Sequence, residues 1–298
     1  MSLLGAETPN LLEALETQGV ELLWHPSLSI ETPRDLERII ERIATGTQEL
    51  TVLCVEGAIL IGPDGSGMYD TFRGRLKKDV IASLCEKAAV VVAVGTCASF
   101  GGIPAAPPNP TDAVGLQFLR EQSEGGLLEP GWRSKAGLPV INLSGCPVHS
   151  NTIIQTLVWA LSGVRLELDH LNRPAEFYST LVHQGCTRNE YHEYDVEETQ
   201  FGNAGCMFFN LGCQGPRTMA TCNSILWNNQ SSKTRIGVPC FGCTSPAFPR
   251  SDDLFKTEKL GTVPVRLPLG VSRASYMSYK GLAKAAAPTR LIDRKTKF

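Results

Sequence analysis

The stretch Val90-Val-Val-Ala-Val-Gly-Thr-Cys97 decides the fold of the first half of the chain. Five small or β-branched residues in a row predict a strand that is buried on both faces. Strands of this kind belong to parallel sheets that helices cover on both sides. Similar runs at 51–55 and 139–143 predict two more strands, so the sequence indicates an α/β fold with a parallel sheet.

Helical segments alternate with these strands. Thr32 is suited to an N-cap, Pro33 to the first helical turn and Asp35 to the capping acid. The apolar residues that follow fall on one helical face: Leu36, Ile39, Ile40 and Ile43. Further helices are predicted at 76–88, 111–120 and 151–161.

Two cysteines follow predicted strands. Cys97 comes three residues after Val94, and Cys146 comes three residues after Leu143. Ligands of parallel sheets bind outside the carboxyl ends of the strands. The sequence therefore predicts that these two cysteines share one site.

Length and composition limit the class of protein. The chain has 298 residues, enough for about two domains of ordinary size. Hydrophobic residues make up 42% and charged residues 19%, which excludes disordered, collagen-like and coiled-coil proteins. The longest apolar stretches, such as 88–94, fall far short of the roughly 20 residues that a bilayer span needs. No secretion signal opens the sequence, so we expect a cytoplasmic location.

Charge is unevenly distributed along the chain. The net charge of −2 divides into −7 over residues 1–150 and +5 over residues 151–298. The end from Arg273 onward is strongly basic, which suits an acidic partner, the cytoplasmic face of a membrane, or a solvated tail. We predict no nucleic-acid binding from it.

The ten cysteines are concentrated in the second half. Six of them lie within Cys186–Cys243, in a segment that is rich in Asn, Gly and Pro and poor in apolar periodicity. A reducing cytosol keeps thiols free, so such a cluster indicates a metal site rather than disulfides. Bound metal would also stabilise a segment that lacks an ordinary apolar pattern.

The spacing of these residues favours two sites. The candidates are His183-x2-Cys186, Cys206-x6-Cys213, Cys222 and Cys240-x2-Cys243. Two intervening residues let both side chains of a turn reach one metal atom or cluster corner. Spacing alone leaves zinc open beside iron, because three cysteines and a histidine form an ordinary structural zinc shell.

Several phrases resemble the small, electron-transferring subunit of NiFe hydrogenases, and they do so over nearly the whole chain. They are Val94-Gly-Thr-Cys-Ala-Ser-Phe-Gly-Gly-Ile-Pro104, Gly145-Cys-Pro147, Leu181-Val-His-Gln-Gly-Cys-Thr-Arg188, Leu211-Gly-Cys-Gln-Gly-Pro216 and Pro239-Cys-Phe-Gly-Cys-Thr-Ser-Pro246. Two more resemble the signal-less branch that contains cytoplasmic uptake and hydrogen-sensing enzymes: Trp24-His-Pro-Ser-Leu-Ser29 and Cys222-Asn-Ser-Ile-Leu-Trp-Asn-Asn-Gln-Ser-Ser-Lys-Thr-Arg235.

The resemblance implies two domains. A flavodoxin-like parallel-sheet domain over residues 1–165 would hold a proximal iron–sulfur cluster, and an irregular Cys-rich domain over residues 166–298 would hold two more. Matched by motif, the proximal ligands are Cys97 and Cys146; the distal ligands are His183, Cys186, Cys206 and Cys213; the medial ligands are Cys222, Cys240 and Cys243.

The cluster types are also implied by the resemblance. A 3Fe-4S cluster suits the medial site, because Lys233 lies near the position of a fourth ligand and supplies no thiolate. The distal cluster is expected to be 4Fe-4S, and the proximal cluster 4Fe-4S or 3Fe-4S. A neutral imidazole in place of one thiolate should raise the distal reduction potential.

The implied function is an electron relay. Hydrogen would be oxidised at a NiFe centre in a partner large subunit, and electrons would pass through the clusters to an acceptor such as a quinone or a redox protein. A heterodimer is expected, with a higher oligomer of heterodimers as a further possibility. The alternatives are a hydrogen-sensing regulatory subunit with the same cofactors and a zinc-stabilised binding module without redox function.

One departure from the family concerns the N-terminal end. The family places its first strand and two further proximal-ligand positions before a Met-Ser-Leu-Leu phrase like the one at Met1. No cysteine precedes Cys54 in this sequence. We therefore expect Met1 to be an internal methionine, with the N-terminal strand missing.

The remaining candidates have simpler interpretations. Cys54 and Cys85 are expected to be buried core thiols. His25 and His149 are expected to be hydrogen-bonded structural residues rather than ligands. Glu56, at a predicted strand end, suits a solvated or paired carboxylate as well as a proton route or a contact with the partner.

Overall fold

The computed structural model describes residues 3–6, 9–250 and 254–292. The chain forms two compact units, Met1–Glu176 and Phe177–Phe298. The core of the first unit surrounds a valine-rich central strand, whereas the core of the second contains three cysteines.

The first unit alternates strands and helices. After a 3₁₀ turn at Leu3–Gly5, its helices are α1 (Leu11–Thr17), α2 (Pro33–Thr45), α3 (Lys77–Lys87), α4 (Thr96–Phe100) and α5 (Ser150–Leu161). Its strands are β1 (Val52–Glu56), β2 (Ile59–Leu60), β3 (Thr71–Phe72), β4 (Arg75–Leu76), β5 (Val90–Val94), β6 (Ala113–Val114) and β7 (Ile141–Leu143). The helices predicted at 76–88 and 151–161 are α3 and α5.

A three-stranded parallel sheet lies at the centre of this unit, in the order β1-β5-β7. Val92 in β5 pairs in register with Ile141 in β7. Val91 and Val92 are both fully buried, and they belong to different core clusters because successive side chains of a strand face opposite sides. The predicted parallel sheet with a doubly buried central strand is confirmed.

The predicted start of α2 is also confirmed. Asp35 N donates to Thr32 Oγ1, and Thr32 N donates to the Asp35 carboxylate at 3.0 Å, which together form a capping box. The helix buries Ile39, Ile40 and Ile43 against the unit, as the apolar spacing indicated.

The prediction of a helix at 111–120 is wrong. Its first part, β6, pairs antiparallel with β2, and the chain then runs extended, with Leu116 N donating to Ala98 O at 2.8 Å. Gly115 lies so close to Ser99 that a Cβ would be 2.4 Å from its carbonyl oxygen. The apolar residues of this segment are therefore enclosed by neighbouring backbone, and their spacing does not reflect one helical face.

The first unit extends beyond residue 165. Asn142 in β7 donates through its backbone N to Asn172 O and through Nδ2 to Leu171 O, both at 2.8 Å. These bonds attach the segment before Glu176 to the sheet. The domain boundary expected after residue 165 stays a prediction, while the compact unit ends at Glu176.

The second unit consists mostly of turns and isolated bridges. α6 (Ala175–Tyr178) spans the division, and the other elements are α7 (Asn189–Glu193), a 3₁₀ turn (Gly215–Arg217), β8 (Lys259–Leu260), β9 (Val263–Pro264), α8 (Arg273–Ala285) and α9 (Thr289–Ile292). Cys206, Cys213 and Cys240 are members of its hydrophobic core. The α/β unit followed by an irregular Cys-rich unit agrees with the predicted fold class.

None of the helices in the described ranges has the length and apolar character that crossing a bilayer requires.

Replacing Gly115 with Ala tests the extended path of 111–120. The added methyl would collide with the carbonyl of Ser99, so we expect the first unit to lose about 1–3 kcal/mol of stability. In a helix the same change would stabilise by about 1 kcal/mol, which gives the opposite sign. Gly131→Ala is the matched control, because a Cβ there meets no atom within 4 Å. Thermal unfolding of the full chain measures both, and a Gly115→Ala variant at least as stable as the control contradicts the extended path.

Candidate metal centres

Two cysteines of the first unit lie at the carboxyl edge of the parallel sheet. Cys97 is in α4, directly after β5, and Cys146 follows β7, the neighbouring strand. The two loops are joined by hydrogen bonds: Thr96 N donates to Gly145 O at 3.1 Å, and Gly145 N donates to Thr96 Oγ1 at 2.9 Å. The structure thus brings together the loops that carry both predicted proximal ligands.

The surroundings of Cys97 are tightly packed on one side. Gly102 has a φ of 53°, and a Cβ there would lie 2.6 Å from Cys97 Sγ. Cys97 is half-buried, whereas Cys146 is exposed, as is Glu56 at the end of β1. At this edge the described residues supply two thiols, fewer than a closed iron or zinc shell uses, so a complete centre requires further ligands.

In the second unit, all four predicted distal ligands line one cavity. His183, Cys186, Cys206 and Cys213 line a small cavity of about 20 Å³ that opens to solvent. The chain reaches this arrangement through tertiary folding, because 30 residues separate the first of these side chains from the last.

Backbone hydrogen bonds position the first pair of ligands. Cys186 N donates to His183 O at 2.9 Å and closes the turn between them. His183 N donates to Gly215 O at 3.1 Å, which ties this turn to the segment just after Cys213. The two halves of the donor set are thereby fixed to each other.

The buried sulfurs strongly favour the protonated form unless a metal is bound. Burial raises the pKa of Cys206 well above that of an ordinary thiol, and the Glu197 carboxylate adds to this effect. Burial raises the pKa of Cys213 to about 11. Opposing this, Phe208 N donates to Cys206 Sγ and Cys240 N donates to Cys213 Sγ, both at 3.4 Å. A metal or cluster fits such a donor set, because it displaces the protons and compensates the thiolate charge.

His183 is present in the form that ligates metals. Burial, with a smaller contribution from His192, lowers the pKa of His183 to about 4, so its imidazole is neutral at neutral pH. A neutral ring offers a nitrogen lone pair to a metal. The chemistry of the four distal donors therefore fits an iron–sulfur cluster as well as it fits a single metal ion.

The three predicted medial ligands form a second group. Burial raises the pKa of Cys240 well above the ordinary value, with further contributions from Cys213 and Cys243. Burial also raises the pKa of Cys222 to about 11; Cys243 adds to this effect and Lys233 opposes it. These mutual effects show that the three sulfurs lie within electrostatic reach of one another.

Lys233 lies next to this medial group. Its ammonium is close enough to Cys222 to lower the pKa of that thiol, and it lies 5.0 Å from the centre of the Phe241 ring. A lysine at this place offers a positive charge to the sulfurs but no thiolate. The donor chemistry here fits a group that is held by three cysteines.

Sequence reasoning missed a buried pair beside the distal ligands. Glu197 and His192 are hydrogen-bonded at 3.0 Å, and their side-chain ligand atoms lie within 4.8 Å of each other and of Cys206 Sγ. A parallel bridge between Glu197 and Cys206 creates this contact. No local spacing signals it, because the two segments meet only after folding.

Sequence reasoning also missed the buried Arg188, which lines the distal cavity. Its guanidinium donates to the carbonyl oxygens of Thr234 at 2.5 Å, Gly205 at 2.6 Å, and Asn203. These bonds hold a positive charge beside the donor set and join three segments around it.

One prediction for the remaining cysteines and histidines is wrong. Cys85 is fully buried, as expected, but Cys54 is exposed. Val55 faces the core from the edge strand β1, so the preceding residue points to the other side. His25 Nδ1 accepts from Ser27 N at 3.1 Å, and His149 Nδ1 caps α5, so both rings are hydrogen-bonded as expected; that neither is a ligand stays a prediction.

Two family models match the chain. The model described as NADH ubiquinone oxidoreductase, 20 Kd subunit, matches residues 1–160, which include the sheet and both proximal candidates. The model described as the C-terminal part of the NiFe/NiFeSe hydrogenase small subunit matches residues 178–256, which include all seven distal and medial candidates.

Curated relatives are similar over most of their length. The F420 non-reducing hydrogenase I small subunit of Methanosarcina mazei is 30% identical, over 83% of this chain and 69% of its own. The periplasmic NiFe hydrogenase small subunit 1 of Nitratidesulfovibrio vulgaris is 31% identical, over 80% of this chain and 71% of its own. The periplasmic NiFeSe hydrogenase small subunit of Desulfomicrobium baculatum is 32% identical, over 84% and 80%.

Solved structures show the same relationship. The actinobacterial-type NiFe-hydrogenase from Ralstonia eutropha H16 matches with a TM-score of 0.75 and 28% identity, over 97% of this chain and 87% of that one. A reduced, active form of the Ni-Fe-Se hydrogenase from Desulfomicrobium baculatum matches with a TM-score of 0.71 and 30% identity, over 86% and 93%.

These comparisons contradict one expectation. The predicted cytoplasmic location, with its association with the cytoplasmic face of a membrane, is wrong, because two of these relatives are named as periplasmic. The prediction depended on the start of the sequence, which does not determine location.

Fold, donor sets and comparisons agree on the family. The matched segments contain every candidate ligand, and the similarity to curated relatives extends over both units. The chain belongs to the family of NiFe hydrogenase small subunits, which transfer electrons while the active site lies in the large subunit.

Proposed function

We propose that this small subunit holds three iron–sulfur clusters and relays electrons between a NiFe centre in a large subunit and an external acceptor. The main support is that His183, Cys186, Cys206 and Cys213 all line the same cavity in the second unit. Bound iron–sulfur clusters supply one-electron storage and transfer at potentials that the protein sets.

The distal site is proposed to hold a 4Fe-4S cluster through these four residues. Three thiolates and one neutral imidazole carry less negative charge than four thiolates, which makes reduction easier at this site. Arg188 adds a buried positive charge in the same cavity. Both features favour the arrival of electrons at the distal end.

The medial site is proposed to hold a 3Fe-4S cluster through Cys222, Cys240 and Cys243. Lys233 lies near Cys222, where it offers an ammonium group and no thiolate, so the medial site has three thiolate ligands. The Cys240 backbone amide donates to Cys213 Sγ, so a medial ligand is hydrogen-bonded directly to a distal one. Short separation of this kind suits electron transfer between the two sites.

The proximal site is proposed to use Cys97 and Cys146 together with further ligands. Its position at the carboxyl edge of the sheet matches the place where parallel-sheet proteins bind cofactors. The cluster type is proposed as 4Fe-4S or 3Fe-4S.

The partner is proposed to be a NiFe hydrogenase large subunit, in a heterodimer or in an oligomer of heterodimers. The acceptor is proposed to be a quinone or a redox protein. Neither the hydrogen-sensing role nor the zinc-stabilised binding module gains specific support from the relatives, which are named as hydrogenase small subunits.

Metal analysis separates the iron–sulfur proposal from the zinc module. We expect the protein, purified without oxygen, to contain iron and acid-labile sulfide and to absorb broadly in the visible range. These arise together only when thiolates hold iron–sulfur clusters. A colourless protein with zinc and no sulfide would falsify the proposal.

Replacing Cys222 with Ala should remove the medial cluster. We expect the EPR signal of an oxidised three-iron cluster to disappear and the iron content to fall, because a three-thiolate site loses a third of its ligands. Cys85→Ala is the control, since that cysteine lies in a hydrophobic core and belongs to none of the three donor groups. Equal iron content and an unchanged EPR spectrum in both variants would refute the medial assignment.

Co-purification tests the partner. Affinity isolation of the tagged chain from its native host should recover a second subunit that contains nickel, because the chain supplies electron-transfer ligands but no hydrogen-splitting centre. Recovery of the iron–sulfur protein without nickel under anoxic conditions would count against the heterodimer.

A further inference from the structure

A buried carboxylate lies directly beside a distal ligand. The Glu197 side chain is 1% exposed. Its backbone pairs with the Cys206 segment, where Cys206 N donates to Val196 O at 2.9 Å and Glu198 N donates to Cys206 O at 2.7 Å. This pairing holds the carboxylate oxygen within 4.8 Å of Cys206 Sγ.

Two hydrogen bonds fix the orientation of this carboxylate. His192 Nδ1 lies 3.0 Å from Glu197 Oε1 and donates to it, and Phe209 N donates to Glu197 Oε2 at 3.2 Å. Both oxygens are therefore engaged by donors from different segments. The negative charge is held in place and has little freedom to turn towards solvent.

His192 links this carboxylate to a second distal ligand. Its ring stands edge-on to the His183 ring, with centroids 5.6 Å apart and planes at 89°. On another side it stands edge-on to Phe208 at 5.5 Å. The pair thus contacts the distal donor set at both its imidazole and one of its sulfurs.

Other charges are near, but they act less directly on that sulfur. The ammonium groups of Lys259 and Lys280 lie over the Phe209 ring at 3.8 and 4.1 Å, and Lys280 also pairs with Asp195 at 3.1 Å. Among ionisable neighbours, Glu197 has the largest effect on the pKa of the Cys206 thiol. Burial lowers the pKa of Lys259, and the Glu197 carboxylate opposes that change, so this lysine lies within electrostatic reach of Glu197 and reduces its field.

We propose that Glu197 is a positioning residue that lowers the reduction potential of the distal cluster by holding a fixed negative charge against Cys206 and orienting His192 against His183. An electron added beside a fixed negative charge in a poorly solvated site costs extra free energy. Glu197 thereby restores part of the negative charge that the imidazole ligand removes. This inference rests on the distal cluster assignment made above.

Glu197→Gln tests the charge with little change in shape. At a fixed ambient potential, the reduced-to-oxidised ratio of the distal cluster should rise about tenfold, which is 59 mV for a one-electron couple. The measurement is an EPR-monitored redox titration of the anaerobically purified complex. The medial cluster of the same sample is the internal reference and should shift by less than the distal one.

Two further variants separate charge from structure. Glu193→Gln removes a carboxylate from an exposed position of α7, one residue from His192, and should leave the distal ratio within about twofold because water screens that charge. Glu197→Asp keeps the charge and should restore the ratio towards that of the unaltered complex. If Glu197→Asp changes the reduced-to-oxidised ratio as much as Glu197→Gln does, the shape of the side chain and not its charge sets the potential. That result would overturn the proposal.

His192→Phe gives an independent test if Glu197→Gln does not assemble. It removes a donor that stabilises the ionised carboxylate and retains a ring against His183, so the negative charge is weakened and the reduced-to-oxidised ratio should rise, as with Glu197→Gln. A fall, or an unchanged ratio, overturns the proposal. An unaltered complex without any distal cluster signal overturns the cluster assignment and this inference with it, whereas a distal signal that Glu197→Gln leaves unmoved overturns the inference alone.

Discussion

The second unit depends on placing sulfur atoms inside a hydrophobic core. Cys206, Cys213 and Cys240 pack among Met207, Phe208 and other apolar side chains, where an uncompensated thiolate is costly. The core tolerates them either as protonated thiols or as ligands of a positive centre. Between His183 and Cys243, all of which the structure describes, the regular elements are only the five-residue helix α7 and a 3₁₀ turn. Ligation of a positive centre would therefore add much to the stability of this unit.

Buried charges of both signs lie beside the distal donors. A neutral imidazole reduces the negative charge of the ligands, Arg188 adds a positive charge that is bonded to main-chain carbonyls, and Glu197 adds a negative one. Arg188 and Glu197 are each fixed by hydrogen bonds, Arg188 to main-chain carbonyls and Glu197 to His192 and the Phe209 amide. An electron-transfer protein performs no bond chemistry itself, so fixed charges of this kind are its principal means of controlling function.

Sequence predicted the features that depend on local pattern. The valine run of β5, the capping residues of α2 and the positions of Cys97 and Cys146 after strands are all local, and the structure has each of them. The apolar spacing of residues 111–120 wrongly predicted a helix, because these residues are buried by neighbouring segments and do not form one helical face. The sequence did not predict the position of Glu197 beside Cys206 for a related reason: the bridge that pairs the two residues forms only in the folded chain. The types of the proposed clusters do not follow from the spacing of the cysteines, because three cysteines and a histidine suit zinc as well as an iron–sulfur cluster.

The participation of ligand cysteines in the hydrophobic core has a consequence for biogenesis. Cys206, Cys213 and Cys240 are only 8–9% exposed in the folded unit, and the cavity that Cys206 and Cys213 line is small. With the proposed clusters bound there, iron and sulfide would reach these sulfurs most easily before the second unit has packed completely. The order of cluster insertion and folding would then be part of how the protein is made.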